Sequence, residues 1–148
     1  MQIVEVTHDS LPDWKRMRQA VYPNVSDAFH DDETRLILAA SDATCFLGFS
    51  DSGEAVAMLE LSLRNHVDGC LGGPVGYIEG IYLKPEMRGA GHGQRLIEFA
   101  TDWFRSRGCR NMAADAELDN TAAQAFMRRM GFEETYRIVE FKRSLGEP

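Results

Sequence analysis

The sequence predicts a single α/β domain over residues 1–148, built on one sheet with strands of mixed direction. The length of 148 residues is that of one ordinary domain. Apolar residues recur with the periods of strands and helices in the order β-α-α-β-β-β-α-β-α-β. Two consecutive strands are separated only by the turn Asp51-Ser52-Gly53-Glu54, so they form an antiparallel hairpin. A sheet that contains such a hairpin is mixed rather than purely parallel.

The first half of the chain predicts a strand, two helices and the hairpin. The first helix is expected to begin at the N-cap Ser10, with Pro12 in its first turn, and to be closed by Pro23. The expected elements are a strand at 2–6, helices at 10–22 and 27–40, and strands at 44–49 and 55–63. His30, inside the second helix, is assigned to the protein surface.

The second half alternates strands and helices. Asn120 is expected to cap the last helix and Gly131 to end it. The expected elements are a strand at 75–83, a helix at 91–107, a strand at 110–114, a helix at 120–130 and a last strand at 132–143. In that last strand the side chains of Tyr136, Ile138 and Phe141 are expected to face inward.

Composition disfavours several classes of function. The chain has 16 Lys and Arg against 23 Asp and Glu, a net charge of -7, which disfavours binding to nucleic acid phosphates and suits cationic partners. Its 3 cysteines lack CxxC spacing, so neither a disulfide framework nor a metal site is predicted. No uncharged stretch approaches the ~18 residues of a membrane span. The sequence therefore predicts a soluble cytoplasmic protein with no nucleic-acid or membrane partner.

The most informative stretch is the loop Arg88-Gly89-Ala90-Gly91-His92-Gly93-Gln94, between a predicted strand and a predicted helix. Glycines let the backbone approach a ligand closely, and the free N–H groups at a helix start bind phosphate oxygens. Gln94 stands where the dinucleotide-binding GxGxxG pattern needs glycine, and the Lys-Ser/Thr pair of a P-loop is missing. Taken alone, the loop is also compatible with a flexible glycine-rich turn.

Two spaced motifs give this loop a context. Arg88-x-x-Gly91-x-Gly93, followed by Asn120-x-x-Ala123 and then Gly131-Phe132, resembles the signature of the GNAT N-acetyltransferase superfamily. The order and spacing are those of the family, and the resemblance covers nearly the whole chain. It implies a GNAT-like acyl-CoA N-acyltransferase fold and acetyl-CoA as the acetyl donor.

The resemblance also implies which residues hold the cofactor. The pyrophosphate is expected on the N–H groups of the loop, and the pantetheine arm beside the fourth strand, where that strand separates from the fifth. A β-bulge near Glu79-Gly80 would expose backbone groups there. The implied cofactor-binding residues are Ile81, Tyr82, Leu83, Arg88, Gly89, Ala90, Gly91, His92, Gly93, Gln94 and Asn120.

Two carboxylates mark the expected chemistry. Glu79 lies in an otherwise apolar strand, where burial would favour a general base by raising its pKa. Amine acetylation needs such a base, because an ammonium has no lone pair. The alternative is a strand-edge Glu that faces solvent. Asp115 follows the fifth strand, whereas Glu117 and Asp119 are interpreted as solvated charges before a helix.

A narrower resemblance is carried by longer runs. Trp14-Lys15-x-x-Arg18, residues 64–74 (RNHVDGCLGGP), Tyr77-Ile78-Glu79-Gly80-Ile81 and residues 131–135 (GFEET) are similar to the chromosomal-type aminoglycoside 6'-N-acetyltransferases. The resemblance implies direct acetyl transfer to the 6'-amine of aminoglycoside antibiotics, and hence resistance. It implies that the catalytic pair Glu79 and Asp115 also bind the substrate, with Tyr22 and His66 lining the pocket.

The chain departs from the family pattern at three positions. Many members place a Tyr seven residues after the motif Asn, as the acid for the leaving thiolate, and here that residue is Met127. Tyr136, another donor or water would then protonate the thiolate, or no acid is needed. Tyr22 and His66 stand where the closer subfamily has a Trp and a Tyr, so the preferred drug stays open.

The C-terminus predicts an assembly. Only one strand is expected after the last helix, whereas many GNAT domains have two. A lone strand leaves edge groups unpaired, so we expect a homodimer that forms through this strand.

Two other functions remain compatible with the sequence. One is a GNAT enzyme that acts on another amine, such as a polyamine, a peptide N-terminus or a metabolite. The other is a non-catalytic CoA-binding module. Glu79 and Asp115 argue against the non-catalytic module, since a protein that only binds CoA needs no base.

Overall fold

The computed structural model describes all 148 residues. They form two compact units, Met1–Asp115 and Ala116–Pro148. The single domain over 1–148 stays a prediction. No helix is both long enough and apolar enough to cross a membrane.

The first unit holds one sheet and three α-helices. Its elements are β1 (Gln2–Glu5), α1 (Leu11–Val21), α2 (Asp27–Ala39), β2 (Ala43–Phe49), β3 (Ala55–Arg64), β4 (Val75–Leu83), α3 (His92–Ser106) and β5 (Met112–Ala114). Ser10 precedes α1, but its hydroxyl accepts the Thr7 N–H rather than an N–H of the helix. Each predicted element of this unit is present within two residues of its predicted bounds.

The five strands lie in sequence order across the sheet. The pairs β1–β2, β2–β3 and β3–β4 are antiparallel, and β4–β5 is parallel. The predicted mixed α/β sheet is confirmed. Only three residue pairs join β4 to β5, and the last is Ile78 with Ala114. From Glu79 onward β4 has no partner on that side, so one of its edges is open.

Apolar faces of α1 and α3 cover this sheet. Trp14 and Met17 of α1 are buried, as are Leu96 and Phe104 of α3. A Cβ on Gly76 would lie 2.3 Å from the Phe104 ring, so only glycine lets α3 pack this close to β4. That packing fixes the position of the loop before α3.

The second unit contains one helix, α4 (Thr121–Arg129). Asn120 caps it as predicted, because its side-chain oxygen accepts the Ala123 N–H at 3.1 Å. The predicted last strand at 132–143 is wrong for this chain, whose residues after α4 form no strand. Tyr136, Ile138 and Phe141 are exposed rather than inward-facing. A strand needs a hydrogen-bonding neighbour, and alternation in the sequence does not supply one.

Candidate active site

Glu79 is the extra residue of a β-bulge. In the β3–β4 ladder Glu60 pairs with Gly80 and Leu61 pairs with Ile78, which leaves Glu79 without a partner. Such a bulge interrupts the ladder and re-aims a side chain. The predicted bulge at Glu79-Gly80 is confirmed, and it begins where β4 loses β5 as a neighbour.

The Glu79 carboxylate lies in the open. Its side chain is 38% exposed, so the expected burial of this carboxylate is wrong. Ser62 donates its hydroxyl to Oε1 at 2.6 Å. Arg64 donates from Nη2 to Oε1 at 2.8 Å and to Oε2 at 3.0 Å. The positive guanidinium of Arg64 is therefore paired with the negative carboxylate of Glu79.

Asp115 is brought to the same place by the parallel ladder. Ile78 pairs with Ala114, so the residues that come next are Glu79 in β4 and Asp115 immediately after β5. The Tyr77 hydroxyl donates to Asp115 Oδ2 at 2.6 Å. The Arg64 guanidinium carbon lies 3.5 Å from the centre of the Tyr77 ring. Burial and the Asp115 carboxylate both raise the pKa of Tyr77, so it stays a donor. Arg64 and Tyr77 thus link the two carboxylates.

Tyr22 reaches this cluster from the end of α1. Its hydroxyl donates to the backbone oxygen of Glu79 at 3.1 Å. The pKa of Tyr22 is raised to about 12, first by burial and second by the negative charge of Glu60. A Cβ on Gly80 would lie only 2.8 Å from this hydroxyl, so glycine at the bulge makes room for it.

A buried polar cluster beneath the bulge was missed by the sequence analysis. Arg18 donates to Glu60 Oε2 at 2.5 Å and to His30 Nδ1 at 3.1 Å. All three residues are buried, so the assignment of His30 to the surface is wrong. Burial raises the pKa of Glu60, and the attraction of Arg18 opposes that rise. The signal was present, since Glu60 stands in the apolar run AVAMLELSL as Glu79 does in its own strand.

His66 lies outside both clusters, the one around Glu79 and Asp115 and the buried one around Glu60. It follows β3, its side chain is 83% exposed, and its Nε2 is 3.3 Å from Asp68.

The start of α3 offers backbone donors. Gly89 and Gly91 have φ of 82° and 84°, a region that favours glycine. The helical hydrogen bonds begin with the Arg95 N–H, which donates to Gly91. The N–H groups of His92, Gly93 and Gln94 precede that bond and have no helical acceptor. No acidic residue lies in this first turn. The loop therefore fits a phosphate group.

The remaining predicted cofactor residues border the open edge of β4. Ile81, Tyr82 and Leu83 pair with β3 on one side only. In such an edge strand alternate backbone groups stay free for an extended ligand. Arg88 turns back to this strand, where its Nε donates to the Leu83 oxygen at 2.9 Å. Ala90 is exposed between the two positive-φ glycines.

Comparison with known proteins identifies the family. The model of the Acetyltransferase (GNAT) family matches residues 11–132. The chain belongs to the GNAT acetyltransferase family. GNAT acetyltransferases use acetyl-CoA, which agrees with the free amides at the start of α3 and the open edge of β4.

Individual GNAT relatives are similar over the whole chain. The aminoglycoside N(6')-acetyltransferase type 1 of Acinetobacter haemolyticus is 38% identical and covers 98% of this chain and 99% of its own. The enzyme of the same name from Acinetobacter genomosp. 13 is 35% identical, over 99% of this chain and 100% of its own.

Solved structures agree. The apo aminoglycoside antibiotic 6'-N-acetyltransferase AAC(6')-IG from Acinetobacter haemolyticus matches with a TM-score of 0.91 and 37% identity, over 99% of this chain and 100% of that one. AAC(6')-Iy in complex with the bisubstrate analogue CoA-S-monomethyl-acetylneamine matches with a TM-score of 0.89 and 31% identity, over 97% of each chain. The predicted GNAT fold is confirmed.

Proposed function

We propose that this GNAT enzyme is an aminoglycoside 6'-N-acetyltransferase, which transfers the acetyl group of acetyl-CoA to the 6'-amine of an aminoglycoside antibiotic. The relatives of that name support it at full length. The observation that carries it is the placement of Glu79 and Asp115 at the point where β4 and β5 separate. Two carboxylates at this point suit a substrate that carries several ammonium groups.

Glu79 is proposed as the general base. Bound acetyl-CoA supplies an acetyl thioester, whose C–S bond breaks as the amine forms the new C–N bond. An ammonium must first lose a proton, and the exposed Glu79 carboxylate accepts it, through a water molecule. The bulge fixes the Glu79 backbone, and Tyr22 holds its carbonyl oxygen. Proton transfer and direct attack can then take place in one site without a covalent enzyme intermediate.

Asp115 is proposed as the anchor for the substrate cation. Its side chain is oriented by the Tyr77 hydroxyl, which leaves its second oxygen for an ammonium. Tyr22 lines the same site. His66 is proposed to line its rim, in keeping with its exposure.

The cofactor is proposed to bind along β4 and the start of α3. The N–H groups of residues 89–94 hold the pyrophosphate, and the open edge at residues 81–83 holds the pantetheine arm. Met127 donates no proton, so the leaving group departs as a thiolate or is protonated by water.

The location and role of the enzyme follow as parts of the same proposal. All three cysteines are free thiols, which suits the reducing cytoplasm. Acetylation removes a positive charge from the drug, so the enzyme would confer antibiotic resistance.

A panel of amines tests this proposal. Kanamycin, tobramycin, a polyamine and a peptide N-terminus are each supplied with acetyl-CoA, and free thiol release is measured. Turnover of the aminoglycosides above the other amines is expected. Turnover of a polyamine or peptide alone would make the protein another GNAT enzyme. Binding of CoA without any turnover would make it a binding module.

The C-terminal segment, residues 132–148, supports a homodimer. It forms no strand in the single chain, and its large apolar side chains are exposed. The most exposed are Tyr136, Ile138, Val139, Phe141 and Leu145, at 65% to 92%. We propose that this segment becomes a strand when it pairs with a second copy, because pairing would satisfy its backbone and bury these residues.

Sedimentation tests the dimer. A mass of twice 16.6 kDa is expected for the full chain, and a monomer is expected for a chain ended after Gly131. A monomeric full chain at high micromolar concentration would contradict the proposal.

A further inference from the structure

The two oxygens of the Glu79 carboxylate have different surroundings. Oε1 accepts three hydrogen bonds, from the Ser62 hydroxyl at 2.6 Å, from Arg64 Nε at 3.1 Å and from Arg64 Nη2 at 2.8 Å. Oε2 accepts one, from Arg64 Nη2 at 3.0 Å. Because an ionised carboxylate offers about two lone-pair positions on each oxygen, Oε1 is fully occupied and Oε2 keeps a position free.

Both donors to Glu79 come from β3. Ser62 and Arg64 are two residues apart in this strand, so their side chains lie on the same face of the sheet. Arg64 is supported in turn by Tyr77, because its guanidinium carbon lies 3.5 Å from the centre of that buried ring. The orientation of the Glu79 carboxylate is therefore set by residues of the sheet rather than of a loop.

We propose that Ser62 and Arg64 are positioning residues: they hold Oε1 of Glu79 and thereby make Oε2 the oxygen that accepts the proton. This inference rests on the proposed function, in which Glu79 is the general base. Oε2 takes a proton from the bridging water, and the water takes one from the ammonium. The freed amine then attacks the thioester carbon, and the thiolate leaves as the C–N bond forms.

An exposed base needs such positioning. The Glu79 side chain is 38% exposed, and without partners it would adopt several orientations, of which only some reach the amine. Proton transfer requires the base within hydrogen-bond reach of the proton, directly or through one water. Each contact is weak because water competes for exposed polar groups. The contacts therefore favour one orientation without locking it, and a moderate effect on kcat is expected from the loss of any one of them.

Steady-state acetylation of kanamycin by Ser62→Ala tests the proposal without a change in charge. Loss of the hydroxyl loosens Oε1, so kcat should fall about fivefold, the size expected for one hydrogen bond. The KM for acetyl-CoA should not change. Ser62→Thr keeps a hydroxyl on the same carbon and should restore most of the kcat. Arg64→Lys keeps the positive charge but loses the planar fork, so it should also lower kcat.

The same substitution in Glu79→Gln separates positioning from a structural role. Once the carboxylate is gone there is no base to position, so Ser62→Ala should not lower the residual kcat of Glu79→Gln further. Thr44→Val is the matched control, because Thr44 donates its hydroxyl to Glu5 at 3.1 Å in the same sheet but outside the site. This variant should acetylate kanamycin as wild type does.

The positioning proposal fails if Ser62→Ala keeps the kcat of wild type, or if it lowers kcat by the same factor in Glu79→Gln. It also fails if the KM for acetyl-CoA rises with the loss of kcat, which would indicate a distorted edge of β4. If wild type does not acetylate kanamycin, or if Glu79→Gln keeps full activity, the proposed function fails and this inference falls with it. If Glu79→Gln loses activity and Ser62→Ala does not, only the positioning role is wrong.

Discussion

Two of the arginine–glutamate pairs in the first unit differ in their access to water. Arg18 and Glu60 are buried, with side chains 6% and 3% exposed, whereas Arg64 and Glu79 are 42% and 38% exposed. Both glutamates belong to the β3–β4 ladder, one as the partner of Gly80 and the other as the bulged residue beside it. The same residue types can therefore serve stability in one place and chemistry in the other.

The difference follows from solvation. A buried charge is costly unless it is paired, so Arg18 and Glu60 are held together and neither can exchange its partner. An exposed pair is screened by water and opens readily. Tyr22 joins the two regions, since it lies beside the Arg18 guanidinium and donates to the Glu79 backbone. The buried pair thus supports the bulge that carries the exposed one.

The largest expected effect comes from breaking the buried pair. Arg18→Met leaves Glu60 as an uncompensated buried charge and should lower the free energy of unfolding by about 3–5 kcal/mol. Arg64→Met should lower it by less than about 1 kcal/mol. Urea denaturation measures both. Equal losses in the two variants would remove the distinction between the pairs.

The pH dependence of that loss sharpens the same contrast. Burial raises the pKa of Glu60 above its unfolded value, and without Arg18 it should rise further. The folded state then holds a proton that the unfolded state has released, so stability falls as pH increases. The defect of Arg18→Met should therefore be largest at neutral pH and should shrink below the unfolded value of about 4.3. A defect that does not change with pH would mean that lost packing, rather than charge, causes it.

The next effect concerns the binding of the cofactor. Gly91→Val should weaken acetyl-CoA binding at least tenfold, about 1.4 kcal/mol, because a branched side chain would crowd the phosphate site. Gly108→Val is the matched control, since Gly108 has φ of 82° and open space around it but lies past the other end of α3. Calorimetry on both folded variants separates the effect of crowding the phosphate site from the effect of backbone strain. Equal affinities of the two variants for acetyl-CoA would mean that the loop does not bind the cofactor.

Asp115→Asn should have the smallest effect. The amide keeps the hydrogen bond to Tyr77 but loses the charge that attracts an ammonium, so KM for kanamycin should rise several-fold with little change in kcat. Steady-state acetylation measures both constants. A loss in kcat alone would give Asp115 a part in the chemistry rather than in binding.

Local patterns were sufficient to predict the first unit. Pro85 and the glycines of residues 89–93 mark the end of β4 and the start of α3, and the positions of both elements were predicted within a residue. Glu79 was found as a carboxylate in an otherwise apolar strand, and Asp115 as the residue that follows the fifth strand. Such signals lie within a few residues of one another along the chain.

Pairings between distant residues were not predictable in this way. Glu60 stood out as a carboxylate in an apolar strand, but its partner Arg18 is 42 residues away, and no spacing rule connects them. The exposure of Glu79 likewise depends on the pairing of β4 with β5, which ends at Ile78 and Ala114 and which local patterns do not specify. The prediction of a last strand at 132–143 failed for the same reason, since alternation predicts a strand but does not supply its neighbour.

The pH profile of kcat in Glu79→Gln tests the central claim most directly. The amide keeps the shape of the side chain and removes the base, so kcat for kanamycin should fall by roughly 10²-fold. Glu54→Gln is the control, because Glu54 is an exposed glutamate paired with Lys84 at 2.6 Å outside the site, and it should behave as wild type. If Glu79→Gln matches wild type at every pH, Glu79 is not the base and the proton leaves by another route.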